Sequence, residues 1–162
     1  GALAAALAPP RLAALVGCAL VEDRIVLTSG RTSALLSAVV GLRRYLQPLG
    51  WMHLSVPLVT AHIAADLVHY PAPYIIGVPA GPGGPAEVLA DLPAGVVLVD
   101  LDRGTVEVQG PPPDEDEAAL RGELARLAQE VGARVHADAC PQVWSYDDPS
   151  LRTSASWHDP GE

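Results

Sequence analysis

The sequence predicts a three-layer α/β domain, with a mostly parallel sheet covered by helices on both faces. Three observations predict it. Short apolar runs alternate with longer stretches of helical period. The runs lack strict polar alternation, as suits strands buried on both faces. Of the 162 residues 49% are hydrophobic and only 18% charged, at a mean hydropathy of +0.25, which is ample for one core.

Element by element, the apolar N-terminal stretch is broken by Pro9 and Pro10, so a core helix is expected from about Arg11 to Ala19 after a Pro-marked turn. No run reaches the ~18 apolar residues of a spanning helix. Ile25 to Thr28 is the first strand, ending at Ser29-Gly30. A helix follows, with Leu35, Leu36, Val39, Val40, Leu42 and Leu46 as its apolar face, and Gln47-Pro48-Leu49-Gly50 stops it. His53 to Val56 is the second strand, closed by Pro57. Thr60 caps a helix to about Val68, broken by Tyr70-Pro71-Ala72-Pro73. Tyr74 to Val78 and Val96 to Leu101 are further strands, with a short helix at Pro85 to Leu92 between them. Asp102-Arg103-Gly104 turns the chain into Thr105 to Val108, a hairpin. Strand–helix–strand order with short loops favours parallel pairing and right-handed crossovers.

Charge then shifts along the chain. Residues 1–113 hold 8 acids and 6 arginines, net −2, whereas residues 114–162 hold 11 acids and 4 arginines, net −7. The change falls at a proline run and acidic cluster near 110–117, a linker leading into a closing helix over 114–133. Acids favour the positive end of a helix. Leu120, Leu124, Leu127 and Val131 are its apolar positions, with Glu117–Arg121 and Glu130–Arg134 as exposed i,i+4 pairs. From Asp138 onward no period is visible, and a loop or poorly ordered end is expected. The domain division is therefore 1–132, with 133–162 as a tail or the start of a following helical module.

The net charge of −9 and the absence of lysine exclude a sequence-independent nucleic-acid binder, which needs a basic face to displace counterions. Residue 1 is Gly and the one methionine is Met52, which predicts a segment of a longer protein. Cys18 and Cys140 are too few for a disulfide framework, and two ordinary intracellular thiols are expected.

Two loops invite a ligand. Thr28–Ser33 lies between a strand and a helix start, where free N–H groups hold phosphates in other folds. Helix capping by Ser and Thr, with Arg31 exposed, is the simpler account. The Gly77–Glu87 loop has glycines but neither phosphate-binding order, and its prolines remove donors; a surface loop is preferred. His62, Asp66 and His69 share one face at metal-compatible spacing, and His136 and Cys140 are four apart, yet packing and exposure explain both sets. Ser29, Ser33, His62 and Asp100 lack the elbow motif of a hydrolytic triad. Trp51 is either core or an interface anchor. No catalytic residue, metal or cofactor is expected.

From Leu20 to Pro79 the order of features resembles the central module of DENN domains. The carrying segments are Glu22-Asp23-Arg24-Ile25-Val26-Leu27, Leu46-Gln47-Pro48-Leu49-Gly50-Trp51-Met52-His53 leading to Val56-Pro57, and Ala72-Pro73-Tyr74-Ile75-Ile76-Gly77-Val78. Val96 to Val108 matches the later strand and hairpin. The resemblance covers residues 12–130 or so. It departs at Asp23, where the family usually has a second Arg, at Met52, where it has Gln, and at Pro79-Ala80-Gly81, where it often has His-Ser-Ser.

The resemblance implies a Rossmann-like module of a guanine-nucleotide exchange factor for a Rab-family small GTPase in membrane traffic, acting without covalent or acid/base chemistry. It implies a longin-like module in the same or another chain, and a cytoplasmic protein held peripherally on vesicle membranes through partners, without direct membrane insertion. Ser29, Arg31, Trp51 and His53, at strand ends, are the expected partner-binding residues. Two alternatives stand beside it: a non-catalytic scaffold or subunit of a DENN-containing regulatory complex, and an α/β enzyme or small-ligand binder using one of the two loops.

Overall fold

The computed structural model describes residues 2–80, 86–111 and 114–138. In chain order the elements are α1 (Ala2–Ala6), α2 (Pro9–Leu20), β1 (Arg24–Ser29), α3 (Thr32–Tyr45), β2 (Leu54–Val56) and α4 (Ala61–Leu67). β3 (Tyr74–Pro79), α5 (Ala86–Ala90), β4 (Val96–Asp100), β5 (Thr105–Val108) and α6 (Glu115–Asp138) follow. The sheet order is β2-β3-β1-β4-β5. All pairs are parallel except β4–β5, the predicted hairpin.

β1 is the central strand, and its six residues explain why it reads as an unbroken apolar run. Ile25 and Leu27 enter one core with Leu15, Leu35, Val39, Leu42, Ile75, Val97 and Val99, under α1, α2 and α3. Val26 enters a second core with Val59, Ala64, Val68, Tyr74, Ile76 and Val78, under α4 and α5. Two cores on opposite faces of one sheet make the three-layer α/β fold. The layers also approach closely at Gly77, where a Cβ would lie 2.1 Å from the Pro57 carbonyl oxygen; the Gly77 carbonyl in turn accepts the Val59 N–H at 2.8 Å. Only glycine fits there.

The structure corrects several local expectations. The N-terminal turn is instead a short helix, α1, which packs Leu3 and Leu7 into the first core. Pro9 and Pro10 open α2 rather than preceding it, because proline at the first helical positions sacrifices no helical hydrogen bond. In α3 the buried stripe is Leu35, Ala38, Val39 and Leu42, so Leu36 and Val40, one step round the helix, stand exposed. The first turn of α3 has no side-chain cap; its N-cap residue is Arg31.

α6 runs unbroken across residue 132 to Asp138 and lies along α2. Leu120 and Leu127, expected on its apolar face, are exposed, while Leu124 between them is half-buried. Arg121 reaches across from α6 to both Asp23 carboxylate oxygens, with Nη2–Oδ1 at 3.1 Å, and also pairs with Glu117 at 2.6 Å, the predicted i,i+4 partner. Glu130 pairs with Arg126. The Arg134 side chain, Cys140, residues 81–85 of the Gly-rich loop and the 139–162 tail lie outside the described residues. Among the described residues no helix is long and apolar enough to cross a membrane.

Candidate partner-binding site

The four candidate residues fall at opposite ends of the sheet. Ser29 closes β1 and Arg31 follows it, at the carboxyl end of the parallel strands. Trp51 and His53 precede β2, whose Leu54 is in register with Tyr74 and, through β3, with Arg24 at the start of β1. Six strand residues separate the ends by ~20 Å at 3.3 Å per residue.

At the carboxyl end, Ser29 is buried and its hydroxyl is committed twice. It donates to Asp102 Oδ1 at 2.8 Å and accepts the Arg31 N–H at 3.0 Å. The Gly30 N–H donates to Asp102 Oδ2 at 2.6 Å. Asp100, at the end of β4, fixes the turn that carries Asp102, accepting the Asp102 and Arg103 N–H groups at 2.9 and 3.0 Å. The Asp102 carboxyl is held below its ordinary value, first by the Gly30 N–H and then by the Ser29 hydroxyl, with burial opposing them and the nearby Arg31 charge adding least. Arg31 Nε lies 3.9 Å from Asp102 Oδ1 while 74% of its side chain remains exposed. The loop thus presents one cation from a backbone tied down on both sides.

This arrangement bears directly on the phosphate reading of Thr28–Ser33. The loop N–H that opens toward a bound anion in phosphate-binding folds is here occupied by the chain's own carboxylate, Asp102. The hydroxyl of Ser29 likewise has Asp102 and a backbone amide as partners, rather than His62 or Asp100. The Thr28 hydroxyl beneath it is buried without a hydrogen-bond partner among the described residues.

The amino end is built differently. Trp51 donates its indole N–H to the Leu54 carbonyl at 3.1 Å, and its ring meets His53 edge to face at 5.3 Å. His53 Nε2 lies 3.0 Å from Glu22 Oε1, but out of line for a hydrogen bond. Glu22 itself has φ 61°, a left-handed conformation that costs a non-glycine residue energy. Trp51 packs partly on the first core, while Met52 and Leu49 project outward at 88% and 74% exposure.

Next to Glu22, Asp23 accepts the Arg121 fork beside Cys18, whose Sγ is 3.6 Å from Arg121 Nη1. Burial pushes the Cys18 thiol up to about 11, and the Asp23 carboxylate adds to the rise. The hydrogen bonds that Arg121 donates to Asp23 raise its guanidinium above its ordinary value. Cys18 is therefore a packed thiol rather than a reactive one.

His62, Asp66 and His69 are all exposed; α4 ends at Leu67, so His69 has left the helix. Among the described residues no three His, Cys, Asp or Glu side chains are grouped to hold a metal. Sequence reasoning missed Asp102, Glu22 and the Asp23–Arg121 pair. Each is joined to its partner only by the tertiary fold, 73 positions away for Ser29–Asp102 and 98 for Asp23–Arg121.

Comparison with known proteins gives one family match: residues 2–104 match the DENN (AEX-3) domain. DENN domain-containing protein 1C of Mus musculus is 31% identical over 139 residues, covering 82% of this chain and 17% of that protein. The MAP kinase-activating death domain protein of Caenorhabditis elegans is 33% identical over 92 residues, 56% of this chain and 6% of that protein. Elicitor of plant defense protein 1 of Fusarium odoratissimum is 33% identical over 102 residues, 62% and 10% respectively. The chain thus spans 6–17% of the length of these relatives.

Proposed function

The chain belongs to the DENN (AEX-3) domain family, and on that premise we propose that it is the central module of a DENN-type guanine-nucleotide exchange factor for a Rab-family small GTPase in membrane traffic. The observation that carries this reading is the family match over residues 2–104, which takes in β1 to β4 and both candidate ends of the sheet. A cytoplasmic location, with attachment to vesicle membranes through partners and a longin-like module working alongside, belongs to the same proposal.

Exchange of this kind needs no nucleophile or general base. The factor binds the GTPase better when its switch loops are displaced, and that differential affinity weakens Mg²⁺ and nucleotide binding. The carboxyl end of the sheet suits this task. Open α/β sheets recognise ligands at that edge, and here the edge offers Arg31 on a preorganised loop. Ser29, being buried, serves by holding that loop. Trp51 and His53 form a second contact region at the far end, for the same GTPase or for the longin-like module.

Release of a fluorescent GDP analogue from a panel of Rab GTPases tests the proposal, with the chain alone and joined to longin-like and helical modules. Acceleration on one Rab, lost in Arg31→Glu with an unchanged melting temperature, is the expected result. Stable GTPase binding with no acceleration in either form would replace exchange with a scaffold role. A melting temperature raised by millimolar nucleotides or phosphorylated metabolites alone would favour a small-ligand binder.

A further inference from the structure

The acidic net charge hides a segregation that the fold turns into a surface. Residues 1–21 and 24–65 contain no Asp or Glu, yet they carry Arg11, Arg24, Arg31, Arg43 and Arg44. Three of these are engaged: Arg11 donates to the Gly104 carbonyl, Arg24 to the Ala94 carbonyl, and Arg31 lies beside Asp102. Arg43 and Arg44, in the last turn of α3, are both exposed and have no ion pair among the described residues. Arg44 lines a groove of about 400 Å³ between α1 and α3, and Arg43 lies one helical turn beyond its Val40.

The groove is formed by small residues under apolar walls. Ser37 and Gly41, four apart on α3, line it with Leu3 and Ala4 of α1, Val40 and Arg44. A Cβ on Gly41 would meet the Leu3 side chain at 3.6 Å, so glycine keeps that part of the groove open. Val40 and Leu36, 45% and 43% exposed, extend the apolar strip along α3. An exposed apolar strip that ends in two guanidinium groups without an ion pair among the described residues carries a chemical specification: an apolar anchor with carboxylates on one side of it.

We propose that the α1–α3 groove is a docking site for an acidic peptide segment of a partner protein. A bulky apolar side chain of the segment would sit between Leu3 and Val40, and its carboxylates would face Arg43 and Arg44. Charge complementarity argues for this occupant, because the groove-forming helices α1 and α3 present positive charge only. A membrane surface fits less well: two arginines fall short of the four to eight clustered cations that hold a segment to anionic lipid. The site is separate from the Arg31 loop, so it stands whether or not exchange activity is found.

The test is fluorescence anisotropy with the 162-residue chain and short labelled acidic peptides, each with one central Leu, Phe or Trp. Matched peptides carry Gln for the acids or Ala for the anchor. The expected result is binding that needs both acids and anchor and weakens with added salt. It should also weaken at least about tenfold in the Arg43→Gln/Arg44→Gln double variant and in Val40→Ser. Circular dichroism melting confirms that both variants stay folded, as exposed substitutions on an intact helix should. Four results would overturn the proposal: no peptide bound, binding indifferent to these variants, arginine-dependent binding to phosphatidylserine vesicles in place of the peptides, or self-association of the chain that these variants abolish.

Discussion

The two ends of the sheet solve the problem of presenting side chains in opposite ways. At the carboxyl end, Ser29, Gly30, Asp100 and Asp102 satisfy one another, and Arg31 is the group left over for solvent. At the amino end, Glu22 and His53 meet without a hydrogen bond, and apolar Met52 and Leu49 are turned outward. The first end is a preorganised polar loop, whose recognition costs little ordering entropy. The second is an apolar loop that gains chiefly by being covered. The proposed contacts, polar at Arg31 and burying at Trp51–Met52, would therefore make different demands on a partner.

The largest expected effect removes both ends together. Gly77→Ala places a Cβ against the Pro57 carbonyl and breaks the crossing between β3 and the chain leaving β2. A loss of about 3 kcal/mol is expected, since the blocking atoms are backbone and cannot rotate away. Thermal melting checks it; an unchanged Tm would mean that the close approach relaxes without cost.

Next in size is Arg121→Ala, which should act on the amino end alone. Asp23 and Arg121 are mostly buried, with 14% and 21% of their side chains exposed. Removing the fork leaves the Asp23 carboxylate without its cation beside Cys18, at a cost of about 2–3 kcal/mol. α6 should then release from α2. Faster amide exchange at Val21–Asp23 but not at Ser29–Arg31 would confirm that the two ends are independent. Equal loosening at both would dissolve the distinction.

These elements also show what could be read in advance. The strands were legible because each central one is buried on two faces, so Ile25-Val26-Leu27 and Tyr74-Ile75-Ile76 are apolar without interruption. The hairpin was legible from Asp102-Arg103-Gly104. The same Asp102 was invisible as a site residue, because nothing local to it names Ser29 as its partner. α3 was legible as a helix, but the width of its buried stripe depends on where α1 sits, and α1 is too short and too alanine-rich to announce itself. In α6 the leucine spacing was only partly informative: Leu124 is half-buried but Leu120 and Leu127 stay exposed, and the Arg121 fork to Asp23, 98 positions away, could not be read from spacing. The four candidate residues were placed at strand ends, but which end each occupies follows from register alone.

Asp102→Ala comes third and should act at the carboxyl end only. It leaves the Gly30 N–H and the Ser29 hydroxyl without their acceptor, an expected cost of about 1–2 kcal/mol. The pH dependence has a definite sign. Because the folded-state carboxyl titrates below its ordinary value, its stabilisation is complete above the unfolded-chain pKa of ~3.9 and is lost as pH falls through the folded value. The difference in Tm between the parent chain and Asp102→Ala should therefore be constant near neutrality and shrink in acid. A difference that persisted in strong acid would mean that the loop is held by shape rather than by charge.

The smallest effect belongs to the Glu22–His53 contact. It is partly exposed and misaligned, so His53→Ala should change stability by no more than about 1 kcal/mol. Glu22→Gly offers the sharper measurement, because two terms oppose each other. The substitution discards the weak contact, yet it relieves a left-handed backbone that glycine adopts freely. Where the native φ is positive, relief outweighs the loss of a surface ion pair, so Glu22→Gly should leave Tm unchanged or raise it slightly. Glu22→Ala, which discards the contact and keeps the strain, should lower it. If both variants fall together, the carboxylate is what holds the turn between α2 and β1, and the amino end is then wired electrostatically like the carboxyl end.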